Sequence, residues 1–237
     1  MKIIFAGPTI QGIDPPTHAG LAMRGPARQG DFFRAVEDGA NVIGLIDGVY
    51  EQVPAIWHKE ILYALSKGVR VFGAASMGAL RAAECAHFGM VGIGAIFEAY
   101  ASGQIEDDAD VAQLHGPKEL NYLSLSEPMV NVTATLDELM KTAAIDEAEH
   151  AALKQAGAGL FFKQRTLKAI AERADLGPRT ATVLSLLRSD YVNLKRRDAQ
   201  LLIQAVLDTP DARVPPPGDW IFHATAIWTG TFGSAPG

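Results

Sequence analysis

The sequence predicts an α/β fold: a parallel sheet with flanking helices in an N-terminal core over residues 1–125, then a mainly helical region over 126–237 packed on that core. Three observations carry this prediction. Strand and helix signals alternate from residue 2 to 90 with short connections, the pattern of right-handed βα units. The strand candidates are unbroken apolar runs, as strands covered on both faces require. From about Met129 onward nearly every segment has helical spacing.

The first strand is Lys2 to Ala6, stopped by Gly7-Pro8-Thr9. Residues 14–28 are rich in Pro, Gly and Ala and read as a loop. Helical spacing follows over Gly30 to Val36, with Asp31 placed to cap it. Asn41 to Ile46, bounded by Gly39 and Asp47-Gly48, is a buried strand. Trp57 to Ser66 carries apolar residues at helical intervals (Trp57, Ile61, Leu62, Leu65) and stops at Gly68. Val69 to Phe72 is the third strand and Met77 to Ala86 the third helix. Ile96 to Ala101 is helical, and Glu106 to Asp110 is an acidic loop. Further helices are predicted at 130–142, 146–157, 163–174, 180–188 and 195–208, before Pro215-Pro216-Pro217 breaks the chain.

Bulk composition excludes several classes. A net charge of −6 with no basic face argues against a nucleic-acid binder; the densest basic run, Lys195-Arg196-Arg197, reads as a solvated helix start. The lone cysteine, Cys85, rules out an intramolecular disulfide and fits a reducing cytoplasm. The apolar start MKIIFA is cut by Gly7-Pro8, too short for a signal segment, and no apolar run nears the ~20 residues of a membrane span. A cytoplasmic protein is expected.

Candidate chemistry gathers where strands end and helices begin, the place where open parallel sheets bind ligands. Ser76 stands there in Ala74-Ala75-Ser76-Met77-Gly78, one small residue away from a G-x-S-x-G nucleophile elbow. It has two readings: a helix N-cap among small packing residues, or a nucleophile with backbone N–H donors beside it. Thr9 and Asp47 end the other two strands, so all three polar residues are expected on one edge. His58 and His115 are the candidate bases. His18, His87, His150 and His223 are assigned to loops or polar faces. Arg81 either pairs with Glu84 on its own helix or holds a carboxylate. Asp107, Asp108 and Asp110 read as a solvated loop. No metal site is expected, since no His pair or Cys/His cluster has ligand spacing. No cofactor is expected either. A dinucleotide glycine fingerprint and a Walker lysine are absent, and Gly89 to Gly94 follows a helix instead of a strand.

Longer motifs narrow this further. GPT at 7–9, LIDG at 45–48, WHKEIL at 57–62, GAASMGALRAAE at 73–84 and FGMVGIG at 88–94 run through the core. DDADVAQLHGP at 107–117 and SEPMVN at 126–131 follow. Together, over about residues 3–140, they resemble the TfuA-like core domain. The resemblance implies a partner of a YcaO-type ATP-dependent enzyme in backbone thioamidation, one that supplies or gates sulfur. A ubiquitin-like sulfur carrier is then the expected second partner, its thiocarboxylate attacked by Ser76. A histidine would serve as base, oriented by Asp47, with Arg81, Thr9, Gly7, Met77 and Gly78 around the substrate. The competing expectation is a non-catalytic adaptor that stimulates the YcaO enzyme, with Trp220, Phe222 and Trp228 as docking anchors. A third is an anion-binding regulator at the Ser76 helix.

Overall fold

The computed structural model describes residues 1–14, 19–49, 53–120 and 122–233, and a five-stranded, all-parallel sheet forms its centre. The strands are β1 (Lys2–Phe5), β2 (Leu21–Arg24), β3 (Val42–Leu45), β4 (Arg70–Ala74) and β5 (Val91–Ile93), in the order β2-β1-β3-β4-β5. Ile3, Ile43 and Val71 stand side by side across the middle of the sheet. The α/β prediction holds.

Period-two alternation splits the apolar strands between two layers. Ile3, Phe5, Ile43, Leu45 and Val71 face α1 (Asp31–Glu37), α2 (His58–Ser66) and α3 (Met77–Cys85). Ile4, Ala6, Val42, Ile46 and Ala74 face the other way. Among its described residues the β1–β2 crossover carries a 3-10 turn at Pro8–Ile10 and no α-helix to cover that second face. The cover comes from the far end of the chain. Helix α9 (Leu194–Asp208) lays Ala199, Leu202, Ile203 and Val206 on it, each of the larger ones worth roughly 1.5–3 kcal/mol on burial. Gly44 permits this approach, since a Cβ there would stand 2.8 Å from the Leu202 side chain.

Helix α4 (Ala95–Ala101) follows β5. After it α5 (Met129–Lys141), α6 (Glu147–Ala158), α7 (Leu167–Arg173) and α8 (Thr180–Ser189) build a core of their own around Leu136, Leu153, Ile170 and Val183. The motif residues at 126–131 tie this bundle to α9. Asn131 accepts from the Lys195 backbone N–H, and the Tyr191 hydroxyl donates to Glu127.

Three sequence expectations are corrected. Residues 21–24, read as loop, are the edge strand β2, whose half-buried residues pair only with β1 and so carry no strong apolar signature. Residues 91–93, set aside in a glycine-rich run, are β5; Gly92 is there because a Cβ would strike the Phe97 ring at 2.0 Å. Asp31 does not cap α1. It accepts from Arg28 N–H, while the buried Glu60 carboxylate of α2 takes the Gly30 and Phe33 N–H groups.

The aromatic tail is also intramolecular. Trp228, on α10 (Ala226–Phe232), is 0% exposed, packed among Phe33, Tyr63, Phe222 and Phe232. The Trp220 indole N–H donates to the Phe88 carbonyl. A tryptophan with no exposed surface cannot anchor a partner. No helix among the described residues is long and apolar enough to cross a membrane.

Candidate functional site

The strand order reverses direction between β1 and β3, and the carboxyl ends flanking such a switch point form a crevice. Here the crevice is a cleft of about 700 Å³. Pro8, Asp47 and Ser76 line it from the ends of β1, β3 and β4; Met77, Arg81 and Glu84 from α3; residues 106–108 and 111–115 from the acidic segment; and Lys195 from α9.

The turn into α3 is sharp. The Ser76 N–H donates to the Ala74 carbonyl at 2.7 Å, and Ala75 between them has φ +68°, a strained conformation for a side-chain-bearing residue. That strain swings Ser76 out at the first step of the helix. Ser76 occupies the N-cap position, yet its hydroxyl makes no capping hydrogen bond. The N–H groups a cap would receive are spoken for: Gly78 N–H goes to the Ile46 carbonyl and Ala79 N–H to the Ser76 carbonyl. Ser76 is half-buried and lines the cleft.

The glycines around it serve packing. A Cβ on Gly78 would lie 1.8 Å from the Leu45 carbonyl oxygen, and one on Gly73 would lie 2.2 Å from the Gly78 carbonyl oxygen. Gly78 is therefore not a free donor to substrate, and α3 sits backbone-to-backbone on the sheet. Met77 lines the cleft wall above Gly48.

Asp47 is 2% exposed and bound to the β1 loop. Its Oδ2 accepts from Gly7 N–H at 2.8 Å and Thr9 N–H at 3.1 Å, and its Oδ1 accepts from the Thr9 hydroxyl at 2.6 Å. The expectation that Asp47 orients a histidine is not met, because three donors from the loop after β1 have claimed the carboxylate. Gly7 and Thr9 likewise reach the cleft only through Asp47.

The two histidines differ. His115 lines the cleft, its Nδ1 2.8 Å from the Gly116 carbonyl oxygen. A carbonyl only accepts, so Nδ1 is the donor there, and in the neutral ring Nε2 is the nitrogen with the lone pair. His58 lies outside the cleft lining, with Nε2 held 2.7 Å from Glu84 Oε2. Arg81 Nη1 donates to the same oxygen at 2.6 Å, so Arg81 does pair with Glu84, and that pair also fixes the guanidinium on the cleft wall. Burial opposes ionisation of Glu84, but hydrogen bonds from His58 and Arg81 outweigh it and hold its carboxyl below the usual range.

Among the remaining histidines, His150 pairs with Asp137, His87 and His223 are exposed, and His18 lies outside the described residues. The acidic segment is not simply solvated. Asp107 and Asp108 form part of the cleft wall, and Asp107 caps the turn at 108–110. Burial, helped by Asp107, raises Asp110. Among the described residues no group of three or more His, Cys, Asp and Glu can hold a metal ion.

Lys195 is the residue that sequence reasoning missed. Read as solvated, it is 1% exposed and belongs to the cleft lining. Its Nζ donates to the Val111 carbonyl at 2.9 Å and to Gln113 Oε1 at 3.2 Å. Helical spacing held the signal: 195, 199, 202 and 206 form one stripe, the stripe that faces the sheet.

Compared with known families, the chain matches the model described as TfuA-like protein over residues 47–166, just over half of its 237 residues. The matched span starts at Asp47 and contains Ser76, Arg81 and His115; Lys195 lies beyond it. No curated protein matches the chain.

Proposed function

The chain belongs to the TfuA-like family, associated with YcaO-dependent thioamidation, and from that premise we propose that it releases sulfide from a thiocarboxylated, ubiquitin-like sulfur carrier for a YcaO-type partner. The reaction is acyl transfer. Ser76 Oγ bonds to the thioacid carbon, the C–S bond breaks, and the serine proton ends on sulfur. R–C(=O)–S⁻ and Ser–OH thus give an acyl-serine and HS⁻, and water then cleaves the ester. No oxidant or nucleotide is needed.

The observation that carries this reading is the Ser76 hydroxyl, relieved of capping and directed into the cleft by the Ala75 turn. His115 is the base of choice. In its neutral ring the Gly116 contact selects the tautomer with the lone pair on Nε2, whereas His58 Nε2 is committed to Glu84. The isolated protein is expected to release sulfide from the thiocarboxylated carrier without YcaO enzyme or ATP, followed by sulfide-specific detection. No release under those conditions would leave the adaptor reading. His115→Ala is expected to slow release by about 10²–10⁴-fold. His58→Ala, which removes an exposed pair, should change it by no more than about threefold. Equal losses from both variants would discard the assignment of His115.

The carrier needs a surface to dock on. Leu120, Leu123 and Leu125 are 59%, 49% and 51% exposed, and Tyr122 among them lines the cleft. An apolar rim at the mouth suits the body of a carrier whose tail enters the cleft. The double variant Leu120→Asp with Leu123→Asp is expected to raise KM for the carrier about tenfold. Turnover of a small-molecule thioacid should stay unchanged. Loss of both activities would instead mark the segment as structural.

A further inference from the structure

A serine nucleophile open to solvent attacks any small ester or thioacid, so access to the cleft matters as much as its chemistry. One side of the mouth is a hairpin. Leu114 N–H donates to the Ser126 hydroxyl at 2.7 Å, and the Leu114 carbonyl accepts from Leu125 N–H at 2.8 Å. Further out, Gly116 N–H donates to the Leu123 carbonyl at 2.8 Å, beside an antiparallel bridge between His115 and Ser124. Ser126 is buried, so the base is fixed. The remainder is not. Among the described residues, every hydrogen bond made by 115–125 closes within 114–126, and no ion pair joins it to the body. Leu120, Leu123 and Leu125 are exposed instead of packed into the core. A segment that keeps its hydrogen bonds to itself and buries little apolar surface opens readily, as one unit.

The inner face of the hairpin brings His115, Pro117 and Tyr122 to the cleft, opposite a lip made by Pro8 and Pro26. The Tyr122 ring stands edge-on to His115, with centroids 5.7 Å apart. It also reaches the far lip, since a Cβ on Gly25 would lie 3.5 Å from the Tyr122 hydroxyl. That hydroxyl has no hydrogen-bond partner among the described residues, so the contact across the mouth is one of packing and can part. The Tyr122 backbone has φ +55°, a strained conformation for a residue with a side chain, of the kind kept at ligand clamps.

We propose that the 115–125 hairpin is a gate over the Ser76 cleft, latched by the Tyr122 ring and opened when the sulfur carrier docks on its leucine face. The proposal rests on the acyl-transfer reading for the identity of that visitor. The exposed leucines adjoin the mouth, so a body seated on them acts on the same segment that carries the latch. Docking surface and gate are then one hairpin, and opening is tied to the carrier. A small thioacid meets a closed ring; the carrier parts it from outside as its tail arrives.

Two measurements on the full chain test the gate. The first needs no carrier: in a Ser76→Cys background, the rate of reaction with a bulky maleimide reports access to the cleft. Cys85 stays silent, because it is 1% exposed and burial pushes its thiol up to about 12. Tyr122→Gly suits the φ of +55° and keeps the hairpin backbone; it is expected to raise that rate about tenfold or more. Tyr122→Phe keeps the ring and should stay within about twofold. The second is the distance between spin labels on Glu119→Cys and Arg28→Cys, exposed positions on the hairpin and beside the opposite lip. Saturation with the carboxylate form of the carrier is expected to shift it to longer values. The shift should need about tenfold more carrier in Leu120→Asp with Leu123→Asp. The distance measurement keeps Ser76 and Tyr122, so it decides the matter if the other variants do not fold. A labelling rate unchanged in a folded Tyr122→Gly, or a distance unchanged with carrier bound, overturns the proposal. If the carrier lengthens the distance but no sulfide is released, the gate stands and the acyl-transfer reading falls. If sulfide is released while the distance stays fixed, the reading stands and the gate falls.

Discussion

Ser76→Ala is expected to stop sulfide release, a loss of about 10³-fold or more, while leaving thermal stability within about 0.5 kcal/mol of the wild type. The combination is the informative part. Removing a serine that caps a helix costs about 1 kcal/mol, because an N–H of the first turn loses its acceptor. Here no such acceptor role exists: Gly78 N–H is bound by Ile46 and Ala79 N–H by the Ser76 backbone. The hydroxyl can vanish without orphaning a donor, and the alanine methyl faces a cleft instead of a packed core. Initial rates of sulfide release from the thiocarboxylated carrier, beside a melting curve, give both quantities. A folded Ser76→Ala that releases sulfide at the wild-type rate removes Ser76 as nucleophile. An inactive but folded variant that still stimulates a YcaO partner would separate delivery from docking.

Gly78→Ala, two residues along, is expected to do the reverse: a loss of about 3–5 kcal/mol in stability, a large share of the roughly 5–15 kcal/mol that holds a domain folded. Helix propensity alone predicts a gain of about 1 kcal/mol for alanine over glycine inside a helix. Sterics win because the obstacle is rigid. The new methyl would lie 1.8 Å from the Leu45 carbonyl oxygen and 2.6 Å from its carbon, both backbone atoms of a central strand. No side chain can rotate out of the way, so α3 must lift from the sheet, taking with it the Gly78-to-Ile46 hydrogen bond and the Ser76 turn. Denaturant titration of the purified variant measures the loss. A midpoint at or above the wild type's would show that the helix start has room to move, and that the small residues of 73–79 are not required for backbone contact.

The contrast between these neighbours shows how the site was and was not legible. Ser76, Met77 and Arg81 were placed near the strand ends by local pattern and line one cleft. His58, expected at that edge, lies outside the lining, whereas His115, expected after the acidic loop, belongs to it. Asp47 was placed correctly at the end of its strand and on one edge with Thr9, but the reading gave its carboxylate to a histidine instead of to Gly7 and Thr9. The donors, Gly7 and Thr9, lie 38 to 40 residues earlier in the loop after β1, which sits beside Asp47 because of the sheet order. His58 and His115 looked equivalent until one was found bound to a carboxylate and the other to a carbonyl. The edge strands β2 and β5 escaped notice because short, half-exposed strands need little apolar character.

By itself the sequence determined the central strands, the succession of helices from 129 to 208, and the strand-end position of the serine. Those features follow from hydrophobic period and from glycine and proline punctuation, both of which are encoded within a few neighbouring residues. Only the tertiary structure decided that α9 closes the second face of the sheet, that Trp228 is consumed by the chain's own core, and that Lys195 is a buried cation with uncharged partners. Each of these depends on which distant segments meet. Burial and pairing are properties of a meeting between segments, set by the packing of the whole chain and not by any stretch of it alone.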